Sequence, residues 1–179
     1  MVERAQRGDR DAYEQLARGA ASRLLQVAVR IVRDPDRAED AVQQTLVDIW
    51  RDLPTLRDPD RFEAWTYRIV VRHCRAEARR GRLLEGRVVD LSEEMAAGGD
   101  PIGDVAVRDQ LGRAFRSLSH DQRVVVVLHH YVGLPLGDVA EILDCPYGTV
   151  GSRLYHAMRA MRAHIDAAER TIVPGGQPA

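Results

Sequence analysis

The stretch PLGDVAEILDCPYGTVGSRLYHAMRAMRAHI, residues 135–165, decides how this chain folds. Apolar side chains recur at spacings of three and four on both sides of the turn at residues 144–148, which predicts a short helix, a tight turn and a second helix. The inward side chains of the second helix are expected to be Val150, Leu154, Met161, Ile165 and either Ala157 or Met158. Polar and Arg side chains share its other face, an arrangement typical of the helix-turn-helix, whose second helix fits the major groove of DNA. A plain helical hairpin with a solvated outer face fits the same pattern.

The remainder of the chain predicts further helices and no sheet. Helical periodicity covers residues 10–33, then a segment that begins at the Asp34-Pro35 cap and ends near residue 53, then residues 62–80. In the second of these helices, Trp50 is expected to face the core. Ser119 and Gln122 form a capping-box pattern before a run of Val that could also be a buried strand. No second strand is available to pair with it, so the fold class is predicted to be all-α.

Glycine and acidic residues divide the chain into two small helical domains. Residues 83–103 have the composition of a flexible acidic linker, rich in Gly with Asp and Glu. The predicted domains are therefore residues 1–82 and 104–168, followed by a loose tail at residues 169–179 that is rich in Gly and Pro.

An excess of positive charge is concentrated in one segment of the chain. The formal net charge is −1 and every one of the 26 basic residues is Arg. Residues 61–87 nevertheless carry eight Arg against three Glu, a local charge of +5 that suggests a defined contact with phosphate. No apolar run approaches the length of a membrane span, and the N-terminus lacks the apolar core of a signal peptide. We expect a soluble cytoplasmic protein without membrane insertion.

The basic segment also begins with a cluster of aromatic residues. Phe62, Trp65 and Tyr67 fall within six positions, and the four Arg side chains that follow share one helical face: Arg68, Arg72, Arg75 and Arg79. Rings that stack on bases beside Arg side chains that follow phosphates are typical of single-strand binding surfaces. The alternative is that the aromatic residues belong to the core and the Arg face is solvated.

No enzymatic or metal-binding pattern is present. The two cysteines, Cys74 and Cys145, are far apart in the sequence, without a C-x-x-C motif, and are expected to be small buried residues. The adjacent pairs His73-Cys74 and His129-His130 diverge by about 100° on a helix and cannot share one catalytic or metal-binding role. Nucleotide-binding and hydrolase motifs are absent. We expect no catalytic residues, no metal and no cofactor.

Four segments together resemble the extracytoplasmic-function (ECF) sigma factors, the smallest sigma-70-type initiation factors. They are GDRDAY at residues 8–13, DRAEDAVQQT at 36–45, FEAWTYRI at 62–69 and CPYGTVGSRL at 145–154. The resemblance spans most of the chain and implies two domains, sigma region 2 and sigma region 4, joined by a linker that threads toward the polymerase active-site channel, with Asp90, Glu93 and Glu94 mimicking nucleic-acid charge. The partners that it implies are core RNA polymerase, promoter DNA and an anti-sigma factor.

The resemblance also assigns three sets of residues. Those implied to bind the polymerase clamp are Asp40, Gln43, Gln44, Asp48 and Arg51. Those implied to bind and melt the −10 element are Arg61, Phe62, Trp65, Arg68, Arg72, Arg75 and Arg79. Those expected to read the −35 element are Thr149, Ser152, Arg153, Tyr155, His156, Arg159 and Arg162. The chain departs from the usual family residues at Gln44, Arg72, Gly151 and His156.

Two other functions remain open from the residues alone. In a stand-alone helix-turn-helix regulator, residues 1–80 would only sense a signal or dimerise, whereas a helical adaptor would not bind DNA at all. The basic segment after residue 60 and the polar second helix favour the sigma factor over both.

Overall fold

The computed structural model describes residues 1–85 and 103–172, and within these ranges the chain forms eight α-helices and no strand. The all-α prediction is confirmed. The helices are α1 Val2–Gln6, α2 Arg10–Val32, α3 Pro35–Asp52, α4 Phe62–Glu85, α5 Gly103–Arg116, α6 His120–Val126, α7 Leu136–Leu143 and α8 Tyr147–Ile172. Short 3₁₀ turns at Leu53–Thr55 and Pro59–Arg61 join α3 to α4, and a π-helical turn at Val127–Tyr131 follows α6.

Side-chain caps set the helix starts that the sequence predicted. Asp34 accepts a hydrogen bond from the Arg37 amide at 3.1 Å, with Pro35 at the first helical position of α3. At α6 both bonds of the capping box are present: the Gln122 amide donates to Ser119 Oγ and the Ser119 amide donates to Gln122 Oε1. The Val run is therefore helical, as predicted.

The two predicted domains are present as helical units. Helices α2, α3 and α4 pack on one another, and α5, α6 and α7 all contact α8. Helix α4 continues through Glu85, three residues into the predicted linker. Helix α5 begins at Gly103, the last residue of the predicted linker, and α8 continues through Ile172, so the first four residues of the predicted loose tail are helical. Residues 86–102, including Asp90, Glu93 and Glu94, and residues 173–179 lie outside the described residues.

The two units also pack against each other, which the sequence did not predict. Helix α7 contacts α4, and α6 with the π-helical turn contacts α2. One cluster of buried side chains runs through both units, from Leu24 and Ile31 on α2 to Leu128 and Val139 beyond the linker. Among the helices of the described ranges, none has both the length and the hydropathy that crossing a membrane requires.

The burial of α3 differs from the prediction at two neighbouring positions. Trp50, expected to face inward, is 49% exposed and meets the ring of Tyr13 edge-on at a centroid distance of 4.5 Å. Asp48 is buried instead, at 8% exposure. Helical periodicity limits the buried face only to a broad arc, and the side chains of α4 decide which residue at its margin is covered.

Candidate functional site

Helix α3 carries an outer surface of polar and apolar side chains. Asp40, Gln43, Gln44 and Arg51 are all exposed on it, as the sequence predicted. Two large apolar side chains lie among them: Val47 is 58% exposed and Trp50 is 49% exposed. Exposed apolar residues inside a polar surface are typical of protein docking sites. Sequence reasoning missed these two, because Trp50 was assigned to the core and Val47 was not considered.

Asp48, predicted to belong to the same surface, holds α3 to α4 instead of projecting outward. Its Oδ2 atom lies 2.7 Å from His73 Nε2 and 2.5 Å from Arg72 Nη2, and its Oδ1 atom lies 2.9 Å from Arg51 Nη2. Burial alone would raise the pKa of Asp48, but the His73 hydrogen bond and the neighbouring Arg charges hold it below its usual value. One carboxylate therefore positions an Arg of each predicted binding surface.

Replacing Asp48 by Asn should lower the stability of the protein. The amide keeps the shape of the side chain but loses charge-assisted hydrogen bonds, a loss of about 1 kcal/mol, or roughly 2–4 °C in Tm for a chain of this size. Because the folded pKa is depressed, the stabilisation is present above about pH 4, where the carboxyl is ionised even when unfolded, and is lost as the pH falls through the folded pKa. Urea unfolding at several pH values measures this: the gap between wild type and variant should close below about pH 4. A gap that persisted at acid pH would contradict the role of the charge.

Helix α4 presents the predicted basic stripe, which here means Arg61 and the four Arg side chains of one α4 face. Arg68, Arg72 and Arg79 are exposed, and Arg75 is half-buried. Arg61, exposed in the turn before α4, pairs with Glu141 of α7. Arg68 donates to the main-chain carbonyl of the same Glu141. The stripe is one continuous basic surface, and much of it already has partners in the folded chain.

The aromatic side chains beside the stripe are more buried than a free stacking platform requires. Phe62 is 8% exposed, and Trp65 is half-buried with its ring 6.1 Å from the Phe62 ring. Tyr67 is buried too. In this arrangement Trp65 alone among the three offers a partly open ring, and Phe62 supports it from the core.

Helix α8 presents the predicted groove-facing side. Ser152, Tyr155, His156, Arg159 and Arg162 are exposed together on it. Thr149 and Arg153 are half-buried, and Arg153 pairs with Asp121 of α6 at 2.8 Å. The alternative left open between Ala157 and Met158 is decided by packing: Ala157 is fully buried and Met158 is 39% exposed.

The two cysteines are both free in the structure. Burial raises the pKa of Cys74 to about 12, so its thiol stays protonated and inert. Cys145 lies in the turn before α8 and is half-buried, less than the sequence suggested. In the part of the chain that the structure describes, no three His, Cys, Asp or Glu side chains are grouped to hold a metal ion.

Comparison with known proteins shows similarity to sigma factors along most of the chain. The protein-family model "Sigma-70 region 2" matches residues 16–83, and the family model "Sigma-70, region 4" matches residues 108–161. The RNA polymerase sigma-H factor of Pseudomonas aeruginosa and the ECF RNA polymerase sigma-E factor of Escherichia coli are each 30% identical to the chain over 173 residues, covering 90% of both sequences. The chain is an ECF sigma factor.

Two solved structures of sigma factors resemble this chain over most of its length. The sigma factor RpoE of Bartonella quintana, in complex with the anti-sigma factor NepR, superposes with a TM-score of 0.72 at 25% identity, over 87% of this chain and 97% of that one. CnrH, in complex with the cytosolic domain of CnrY, gives 0.65 at 28% identity, over 93% of this chain and 95% of that one. The region 2 match covers most of α2 to α4, and the region 4 match covers most of α5 to α8.

As a sigma factor, the protein directs RNA polymerase to promoters and initiates promoter-specific transcription. The matches to regions 2 and 4 and the sigma-factor relatives support the sigma factor over the stand-alone regulator and the adaptor.

Proposed function

We propose that three surfaces divide the work of this sigma factor. The outer face of α3, with Asp40, Gln43 and Gln44, docks on the clamp of core RNA polymerase. The basic stripe binds the −10 element and its melted strand, with Trp65 beside it. The exposed side of α8 reads the −35 element.

The observation that carries this proposal is the separation of the three surfaces on two helical units. Each surface is exposed on a different helix, so one chain can hold polymerase and two promoter elements together. Asp48 then acts behind the surfaces, since its carboxylate fixes Arg51 next to the polymerase face and Arg72 on the stripe.

The sigma factor itself performs no chemistry in this proposal and needs no cofactor or metal; catalysis belongs to the core polymerase. It acts in the cytoplasm, where polymerase and promoters meet. We further propose that an anti-sigma factor controls it, since the RpoE structure that it resembles was solved with one bound. In vitro transcription with purified core polymerase and a pool of genomic promoters tests the function: specific transcripts should appear only when the sigma factor is added.

Changing the α3 face should weaken polymerase binding without unfolding region 2. In an Asp40→Arg, Gln43→Ala variant, one charge is reversed and one hydrogen-bonding group is lost from an exposed surface, so we expect affinity for core polymerase to fall about five- to tenfold. Competition binding against a labelled sigma factor measures the loss.

The matched control for this prediction makes the same two types of substitution, Asp to Arg and Gln to Ala, on α2. Asp11→Arg with Gln15→Ala also alters exposed side chains. This control should bind core polymerase like the wild type, and circular dichroism should give the same helicity for all three proteins. Wild-type affinity in the α3 variant would contradict the docking assignment.

A further inference from the structure

Arg72 differs from its neighbours on the basic stripe in the way its side chain is held. Arg61, Arg68 and Arg75 have their partners in region 4. Arg72 is instead anchored within region 2, where its Nη2 atom lies 2.5 Å from Oδ2 of Asp48 on α3. The Arg72 side chain nevertheless keeps 62% of its surface exposed, against 12% for the side chain of Asp48. One end of the guanidinium is therefore fixed to the protein while the other faces the stripe surface.

The anchor on α3 is rigid. Three donors surround the Asp48 carboxylate: Arg72 and His73 Nε2 at Oδ2, and Arg51 Nη2 at Oδ1. Burial opposes ionisation of Asp48, but the His73 hydrogen bond and the Arg charges keep its pKa below the usual value, so both oxygens act only as acceptors. Because both oxygens are engaged, the carboxylate cannot rotate, and the guanidinium that it binds has a fixed direction.

The charge around Arg72 is balanced, which sets it apart from an Arg that binds phosphate. Arg51 pairs with Asp48 at 2.9 Å and with Asp52 at 2.8 Å, so two Arg side chains share two carboxylates here. Binding to phosphate draws its free energy from counterions that leave the DNA when an unpaired basic side chain replaces them. Carboxylates also repel phosphate at short range. Arg72 therefore has little to gain from a phosphate contact.

The donors that Arg72 keeps match the edge of one base. A guanidinium has five N–H donors in a planar fork, and the Asp48 contact engages one N–H of Nη2, so an adjacent pair of donors remains. Guanine presents two adjacent acceptors, O6 and N7, and Arg that donates to both is the commonest base-specific contact. Adenine places an amino donor beside N7, which a guanidinium cannot use. A directed Arg thus favours guanine.

We propose that Arg72 reads a guanine of the −10 element and that Asp48 is the positioning residue that directs it. This deepens the proposed function, on which it rests for the role of the stripe. Arg68 and Arg75 lie on the same face of α4, four residues before and three residues after Arg72. Phosphates held by these two side chains bring a base to Arg72 between them. Arg72 is also a position at which the chain departs from the usual family residues, so this preference is expected to belong to this chain.

The first test separates base reading from phosphate binding at Arg72. Transcription from a library randomised across the −10 element, with saturating core polymerase, gives the base preference of each protein. Wild type should favour guanine at one position of one strand by about five- to 150-fold, and both Arg72→Ala and Arg72→Lys should lose this preference. The Lys variant is decisive, because it keeps the charge and loses the planar fork. Arg79→Ala, exposed on the same stripe, is the control and should weaken all library members alike.

Salt dependence gives a second readout for the same variants. Losing one phosphate contact to a melted strand lowers the salt slope of open-complex formation by about 0.7, which we expect for Arg79→Ala. Arg72→Ala should leave the slope of wild type unchanged. A library ranking that stayed the same in the Ala and Lys variants of Arg72 would overturn the proposal, and so would a reduced salt slope in Arg72→Ala.

The third test concerns Asp48 as the positioning residue. Asp48→Asn keeps the shape of the side chain but loses the charge that holds Arg72, so the guanine preference should fall about fivefold. The matched control is Glu77→Gln, which alters another buried carboxylate, 7% exposed and paired with Arg80 at 2.8 Å. This control should preserve the ranking. In an Arg72→Ala background, Asp48→Asn should change the preference no further. An equal loss in Glu77→Gln, or a further loss in the double variant, would contradict this role of Asp48.

The wild-type library separates failure of this proposal from failure of the proposed function. Transcription that did not depend on the −10 sequence would remove the function assigned to the stripe. A −10 preference that the Arg72 variants did not change would leave that function in place, and only the guanine-reading role of Arg72 would be wrong.

Discussion

Replacing Arg68 and Arg75 together by Ala should lower open-complex formation about 60-fold at 50 mM salt and about tenfold at 200 mM. Each Arg is proposed to neutralise one phosphate of the melted strand, and each such contact contributes a slope of about 0.7 in the logarithm of affinity against the logarithm of salt. Losing two contacts therefore removes the most binding at low salt, and the deficit shrinks as salt rises. Permanganate footprinting of holoenzyme at a series of salt concentrations, with saturating core polymerase, measures it.

The control for this prediction removes the same charge elsewhere. Arg10→Ala with Arg18→Ala changes two exposed side chains of α2 and should leave the salt slope of wild type unchanged. If the Arg68 and Arg75 variant opened promoters normally at every salt concentration, the stripe would be only a solvated face. A deficit independent of salt would instead indicate a fault in folding.

Replacing His156 by Arg should change which −35 sequences this sigma factor prefers. His156 lies within the first three turns of α8, where side chains of a recognition helix reach base edges, and an Arg there adds a bidentate donor for guanine. A base contact of this kind discriminates by about 1–3 kcal/mol, or roughly five- to 150-fold between variants of one position. Transcription from a randomised −35 library with each protein measures the ranking.

Two further substitutions on α8 separate base reading from general affinity. Arg162 lies about 9 Å farther along the helix axis, where phosphate contacts are expected, so Arg162→Ala should weaken every library member by a similar factor. His164→Arg adds the same charge as His156→Arg at an exposed position nearer the helix end and should preserve the ranking. An unchanged ranking with His156→Arg, or a reordered one with Arg162→Ala, would show that the proposed orientation of α8 in the groove is wrong.

Much of the site could be predicted from local sequence. The exposed sides of α3 and α8 follow from helical spacing, because residues three and four apart share a face. The basic stripe follows for the same reason. The partners of its side chains could not be predicted. Arg61 pairs with Glu141, which lies 80 residues away in the sequence, and Arg68 donates a hydrogen bond to the Glu141 carbonyl, 73 residues away. Contacts between residues so far apart leave no periodic signal in the sequence.

The sequence by itself determined most of the helices, the caps of α3 and α6, the helix-turn-helix and the family. Each depends on neighbours in the chain: Asp34 and Pro35 start α3, Ser119 and Gln122 start α6, and apolar spacing sets the buried faces. Only the tertiary structure decided that Asp48 is buried while Trp50 is exposed, since that depends on which side chains of α4 lie opposite. It also decided that Glu141 pairs with Arg61 and that Asp121 lies 3.9 Å from Arg75, because the packing of two separate domains depends on surfaces that local periodicity cannot pair.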